Sequence, residues 1–182
     1  MTDKERFRNY SNAEAVDIIH QVANLYISTK EPQDYGTGEF YTSVEVHTLK
    51  HIADNPGITV TELARDYCKT KGAISQMLKK IEDKGLIYRV ASWNNENKYH
   101  LYLTEKGRVL DQFHREYDEI SFGESMNQVR SLYSQEEINT AFSILETWLS
   151  VRRAVQEKRN KCQKLAGKEK KKAEKTKKAH IQ

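Results

Sequence analysis

The chain has 182 residues, 37% of them hydrophobic and 31% charged, with only 2 Pro and 8 Gly. That composition fits one ordinary core, or a small module with a helical appendage, and favours helix. No window approaches ~18 consecutive apolar residues and the N-terminus has no apolar leader run, so neither a membrane span nor a secretory signal is expected. Two cysteines, Cys68 and Cys162, provide neither a disulfide framework nor a paired ligand spacing, and a reducing cytoplasm is the expected location. The net charge of +4 conceals an asymmetry. Residues 152–182 carry thirteen Lys and Arg against three acids, and residues 60–108 carry ten against six within an otherwise acidic body. Localised positive charge of this kind is a footprint for a polyanion.

A Ser or Thr followed three residues later by Glu marks helix starts at Ser11/Glu14, Thr42/Glu45, Thr59/Glu62 and Ser134/Glu137. In each, the hydroxyl can accept from an orphan backbone N–H while the carboxylate reaches back to the cap residue. The first helix carries Ala15, Ile18, Ile19, Val22, Leu25 and Tyr26 at helical spacing and ends before "KEPQDYGTG", read as a loop. The second runs from about Ser43 to Asp54 with Val46, Leu49, Ile52 and Ala53 on one side, and stops at "NPG". A short third, "TVTELARDYC", turns Leu63, Ala64 and Tyr67 inward. Thr70 caps a fourth with the stripe Ile74, Met77, Leu78 and Ile81, and Gly85 stands where a left-handed C-cap is wanted.

The period then changes from 3.6 to 2. "LIYRVA" and "KYHLYLT" predict two strands joined by the polar turn "SWNNEN". Thr104 caps a long helix through Val109, Leu110, Phe113, Tyr117 and Ile120, which "SFGESMNQ" interrupts or links onward. A last helix begins at Ser134 and runs through Ile138, Phe142, Leu145, Trp148 and Leu149, and the apolar positions run out at about Lys164. "KEKKKAEKTKK" reads as a disordered basic tail able to add non-specific phosphate binding.

The expected fold is therefore mainly α: a winged helix-turn-helix with a two-stranded β wing, flanked by N- and C-terminal dimerisation helices. The units are 1–40 (N-terminal dimerisation helix and loop), 41–108 (winged helix-turn-helix), 109–163 (C-terminal dimerisation helices) and 164–182 (basic low-complexity tail). The outer helices carry apolar faces that the middle cannot cover, which predicts a homodimer.

In a helix-turn-helix the second helix presents its N-terminal residues to the base edges of the major groove. The outer side of the fourth helix here runs Thr70, Lys71, Gly72, Ala73, Ser75, Gln76, Lys79 and Lys80, with no acid before Glu82. Gly72 lets backbone come close to the duplex, Gln76 can pair with adenine, Ser75 can contact bases or phosphate, and the lysines suit phosphates at the positive end of the helix dipole. The ordinary alternative is a solvated face.

Residues 46–107 resemble the multiple-antibiotic-resistance repressor (MarR) family, through "NPGITVTELA", "KTKGAISQMLKKIEDKGLI" and "LYLTEKG" in the family's order and spacing. The resemblance implies a homodimeric, prokaryotic, cytoplasmic transcription regulator, often a repressor. It implies binding to pseudo-palindromic double-stranded DNA, with association with the nucleoid when bound and release by a small-molecule ligand. The family's wing carries an Asp-x-Arg; here those places are Asn95 and Asn97, with Lys98 following and Arg89 on the first wing strand. Trp93 is expected to pack back on the strands. The resemblance also implies a cleft between the dimerisation and DNA-binding parts, for which Tyr26, His47, Phe113 and Tyr117 are candidates.

Other constellations carry less. His47 and His51 share one helix, and Asp111, His114 and Asp118 share another; some relatives sense zinc through histidines on such helices, yet neither group is a complete ligand set and no metal or cofactor is expected. Cys68 beside Tyr67 reads as core. No phosphate loop, metalloprotease helix or nucleophile elbow is present, so no enzyme is expected. The rivals are a winged-helix module for protein–protein assembly without specific DNA binding, and a metal-responsive DNA-binding regulator.

Overall fold

A computed structural model describes residues 9–28, 31–93 and 95–179, without the side chains of 27, 28, 95–97 and 161–179. In chain order the elements are α1 (Asn12–Ser28), β1 (Gln33–Asp34), β2 (Phe40–Tyr41), α2 (Ser43–Asp54), α3 (Val60–Asp66), α4 (Lys71–Asp83), β3 (Ile87–Ser92), β4 (Asn95–Leu103), α5 (Glu105–Arg130) and α6 (Gln135–Ala179). The strands form two antiparallel pairs, β1–β2 and β3–β4.

All four Ser/Thr-x-x-Glu boxes close. Thr42 Oγ1 accepts from Glu45 N while Glu45 Oε2 accepts from Thr42 N at 2.8 Å. The same reciprocal pair forms at Thr59/Glu62, Ser11/Glu14 and Ser134/Glu137. These caps set where α1, α2, α3 and α6 begin, because each satisfies donors that a helix start leaves open. At the other end of α4, Gly85 takes φ +72°, and the N–H groups of Gly85 and Leu86 return to the carbonyls of Glu82 and Ile81.

The core lies where α2, α3 and α4 meet the wing strands. Val46, Leu49, Ile52, Leu63, Ile74, Leu78, Ile81, Leu86 and Leu101 are essentially inaccessible, each contributing roughly 1.5–3 kcal/mol of burial. The wing is tied to this core through the turn before α3, since Gly57 N donates to Leu101 O and Leu101 N to Ile58 O, both at 3.0 Å. α5 then starts against the α4–β3 turn. Thr104 Oγ1 donates to Gly85 O at 2.7 Å, and a Cβ on Gly107 would overlap the Leu86 carbonyl.

Three expectations are corrected. "KEPQDYGTG" is not simply loop: within it Gln33–Asp34 pairs with Phe40–Tyr41 just beyond, and Asp34 Oδ1 accepts from the N–H groups of Gly36, Thr37 and Gly38. "SFGESMNQ" lies inside α5 without a break, since one Gly costs only about 1 kcal/mol in a helix that is otherwise well formed. The basic segment after Lys164 continues α6 as helix to Ala179, its Lys, Glu and Ala being good helix formers.

Outside the core, α1 and α6 leave apolar side chains uncovered in the single chain, among them Val22 at 51%, Ile144 at 62% and Val151 at 56% exposure. Among the described residues no helix is long and apolar enough to cross a membrane.

Candidate nucleic-acid interface

α4 is held by one face and presents the other. Ile74, Leu78 and Ile81 are fully buried, and Met77 Sδ accepts from Thr48 Oγ1 of α2 at 3.7 Å. The opposite side exposes Thr70, Lys71, Gly72, Ala73, Gln76, Lys79 and Lys80, with Ser75 half-buried at its edge. Thr70 Oγ1 accepts from Ala73 N, so the helix start is capped while its other N–H groups point outward. Lys71, Lys79 and Lys80 form no ion pair among the described residues, whereas Lys84 at the far end is committed to Glu45 at 2.7 Å. A Cβ at Gly72 would meet nothing within 4 Å. The face is thus cationic, uncompensated and smooth at its second residue.

The wing differs from expectation. Trp93 does not pack back on the strands: it is 99% exposed, and no described side chain covers the indole at the β3–β4 turn. Arg89 is not free, its Nε sitting 3.0 Å from Glu82 Oε2 on α4. The backbones of Asn95 and Asn97 belong to β4, and their side chains lie outside the described residues. Lys98 is exposed and, with Lys71, Thr59 and Glu62, lines one concavity of about 380 Å³. Cys68 is also no core residue: it is exposed, with φ +51°, in the turn that reverses the chain between α3 and α4.

A second cleft, of about 650 Å³, opens between α1, the β1 strand, α2 and α5. Tyr26, His47 and Tyr117 line it; Phe113 does not, its ring lying against Gly36 instead. Tyr35, His114 and Asp118 complete the wall. The His47 and His114 rings meet edge-on with centroids 4.7 Å apart, and Tyr35 packs edge-on against both His114 and Tyr117.

The histidines regroup relative to their order in the chain. His51 turns away to Asp66 at 3.2 Å, and Asp111 is engaged by Arg115 at 2.8 Å. His47, His114 and Asp118 instead bring one ligand atom each to within 4.8 Å of one another. Burial pushes the His114 imidazole below its ordinary value against the opposing pull of Asp118, which favours the neutral ring, the form whose lone pair can bind a metal. Its Nδ1 is buried with no hydrogen-bond partner among the described residues. Two imidazoles and a carboxylate suit a borderline divalent ion such as zinc.

A capped helix pair, a following helix with a cationic outer face and a two-stranded wing define a winged helix-turn-helix protein. Residues 41–97 match the model of the MarR family. The HTH-type transcriptional regulator YhjH of Bacillus subtilis is 29% identical over 84 residues, 46% of this chain and 48% of that protein. The HTH-type transcriptional repressor Mb2911 of Mycobacterium bovis is 35% identical over 69 residues, 38% and 50% of the two chains. The chain spans about half the length of these curated relatives. Streptococcus pneumoniae FabT, solved in complex with DNA, shares the fold with a TM-score of 0.56 at 23% identity, over 79% of this chain and 96% of that one.

Proposed function

We propose that the protein is a sequence-specific, duplex-DNA-binding transcriptional repressor of the MarR type, acting as a homodimer on a pseudo-palindromic operator. The observation that carries this reading is the outer face of α4, where three lysines that form no ion pair among the described residues flank Gln76 and an unobstructed Gly72. A solvated helix has no need to keep acids out of that face. The naming of the M. bovis relative as a repressor and the DNA in the FabT structure support it. The uncovered apolar faces of α1 and α6 supply the dimer surface, and a dimer presents two recognition helices to two half-sites. No chemistry on a substrate is assigned, and the working location is the cytoplasm, on the nucleoid.

Replacing Lys71, Gln76 and Lys79 together with Ala tests this directly. The variant is expected to keep its circular-dichroism spectrum and its dimeric mass while losing duplex affinity at least 100-fold, since phosphate and base contacts vanish together. Wild-type protein that fails to bind its own genomic fragments at low salt would instead favour an assembly module.

A second reading adds the effector. His47 faces the cleft and its neighbour Thr48 touches Met77 of α4, so whatever draws α2 toward α5 also moves the recognition helix. The cluster His47, His114 and Asp118 favours a divalent cation as that effector. Zinc at a hundredfold excess over its Kd is expected to stabilise the fold by about 2.7 kcal/mol, and His47→Ala to abolish the gain. A thermal melt unchanged by zinc would leave the cleft to an organic ligand.

A further inference from the structure

We propose that the C-terminal part of α6 is a second DNA-binding element, a lysine-faced helix laid along the phosphate backbone beside the helix-turn-helix. The inference rests on the DNA-binding reading above and goes beyond it.

α6 does not end with the apolar positions that serve a dimer. It reaches the edge of the helix-turn-helix, where Glu157 Oε1 lies 3.8 Å from Arg65 Nε of α3. Gln156, Glu157 and Asn160 share a cleft of about 920 Å³ with Thr70 and Lys71. Those two residues form the N-terminal end of α4, the end that a recognition helix turns toward DNA. From this docking point α6 continues through residues 161–179, about 28 Å of helix at ~1.5 Å per residue.

Six of the nine lysines of that stretch fall on one line of the helix. Lys161, Lys164, Lys168, Lys171, Lys175 and Lys178 recur at alternating steps of three and four. Such steps keep to one stripe of a helix, and Glu157, four residues before the first of them, heads the same stripe. The line of helix positions that begins at the helix-turn-helix therefore carries six cations in succession. The acids of the segment, Glu169 and Glu174, occupy other lines.

Charge decides the occupant. With apolar residues at these steps the stripe would be a coiled-coil seam; with lysines it cannot be buried against a protein helix without desolvating six charges. Like charges three and four apart also destabilise the helix that bears them. A row of anions along the stripe removes both costs, and duplex DNA offers one negative charge per ~1.7 Å beside the end of α4.

The test uses the full-length protein and two double variants that remove equal charge from opposite sides of the helix. Lys168→Gln with Lys175→Gln lies on the stripe; Lys170→Gln with Lys177→Gln lies across from it. Binding to a duplex carrying the genomically selected site is measured by fluorescence anisotropy over a series of salt concentrations. The stripe pair is expected to reduce the magnitude of the negative slope of log K against log salt by about 3–4 for a dimer, at ~0.9 per lost phosphate contact, and the opposite pair by less than a third of that. Equal slopes in both variants overturn the proposal, whether both fall or neither does. So does a difference that appears only on phosphatidylglycerol vesicles. Wild-type protein that binds no duplex removes the regulator reading itself, whereas wild-type binding with three equal slopes removes only the role of α6.

Discussion

Around Gly72, beyond its chain neighbours and its own helix backbone, no atom of the described residues comes within 4 Å of where a Cβ would stand, so no packing seen there demands glycine at the second residue of α4. Helix propensity argues for Ala there by up to about 1 kcal/mol. Gly72→Ala is therefore expected to raise the urea midpoint slightly and to weaken operator binding at least fivefold, effects of opposite sign. Equal or tighter binding would mean that the backbone at Gly72 does not approach the duplex. Arg89 shows the converse at the same scale. A cation on the first wing strand is legible in the sequence, but its pairing with Glu82 is not, because the two residues meet only once the wing folds back on α4. Trp93 is alike: whether an indole is covered depends on what stands opposite the turn, and among the described residues nothing does.

The elements are joined at a few tight points, and the start of α5 is the tightest. Thr104 N donates to Leu86 O at 3.0 Å while Gly107, one turn on, brings its bare Cα against the same carbonyl. Gly107→Ala is expected to cost about 1–3 kcal/mol by forcing α5 away from the α4–β3 turn, read as a lower urea midpoint with an unchanged m value. Gly123 in the same helix has open space around it, and Gly123→Ala is expected to be neutral or stabilising. If both changes destabilised equally, propensity rather than close approach would be the cause. The contrast is invisible in "LTEKG" alone, since the obstructing carbonyl belongs to a residue twenty-one positions earlier.

Across the whole molecule, ion pairs link elements that the apolar core already packs. Burial alone would raise the Glu45 carboxyl, but Lys84 and the two bonds from Thr42 hold it below its ordinary value, tying α2 to the end of α4. Lys50 and then Arg115 hold Asp54 low, tying α2 to α5. Carboxylates with lowered folded values contribute stability above their unfolded values, near ~4, which is lost as pH falls through the folded ones. His114 adds an earlier step of the same sign. Its folded value is depressed, so the unfolded chain takes up a proton first as pH falls below about 6.5. Stability is expected to decline from pH 7.5 to 5 and then more steeply below 4.5, measured as urea midpoints; His114→Gln should flatten only the first part.

Much of the fold was legible because its signals are local. A Ser or Thr three residues before Glu, a 3.6-residue stripe ending at Gly85 and an alternation between β3 and β4 each act within about one helical turn, so they survive any change elsewhere in the chain. The sequence alone thus determined the order of elements, the helix starts and the division of α4 into a buried and an outward side. The tertiary structure decided what depends on elements crossing: His47 with His114 and Asp118 rather than with His51, Arg89 on Glu82, Trp93 left bare, and α6 brought to the edge of α3 at Arg65. Those partners stand from seven to ninety-two residues apart in the chain. Only the packing of helices fixes the distance between side chains so separated, and no spacing along the chain encodes it.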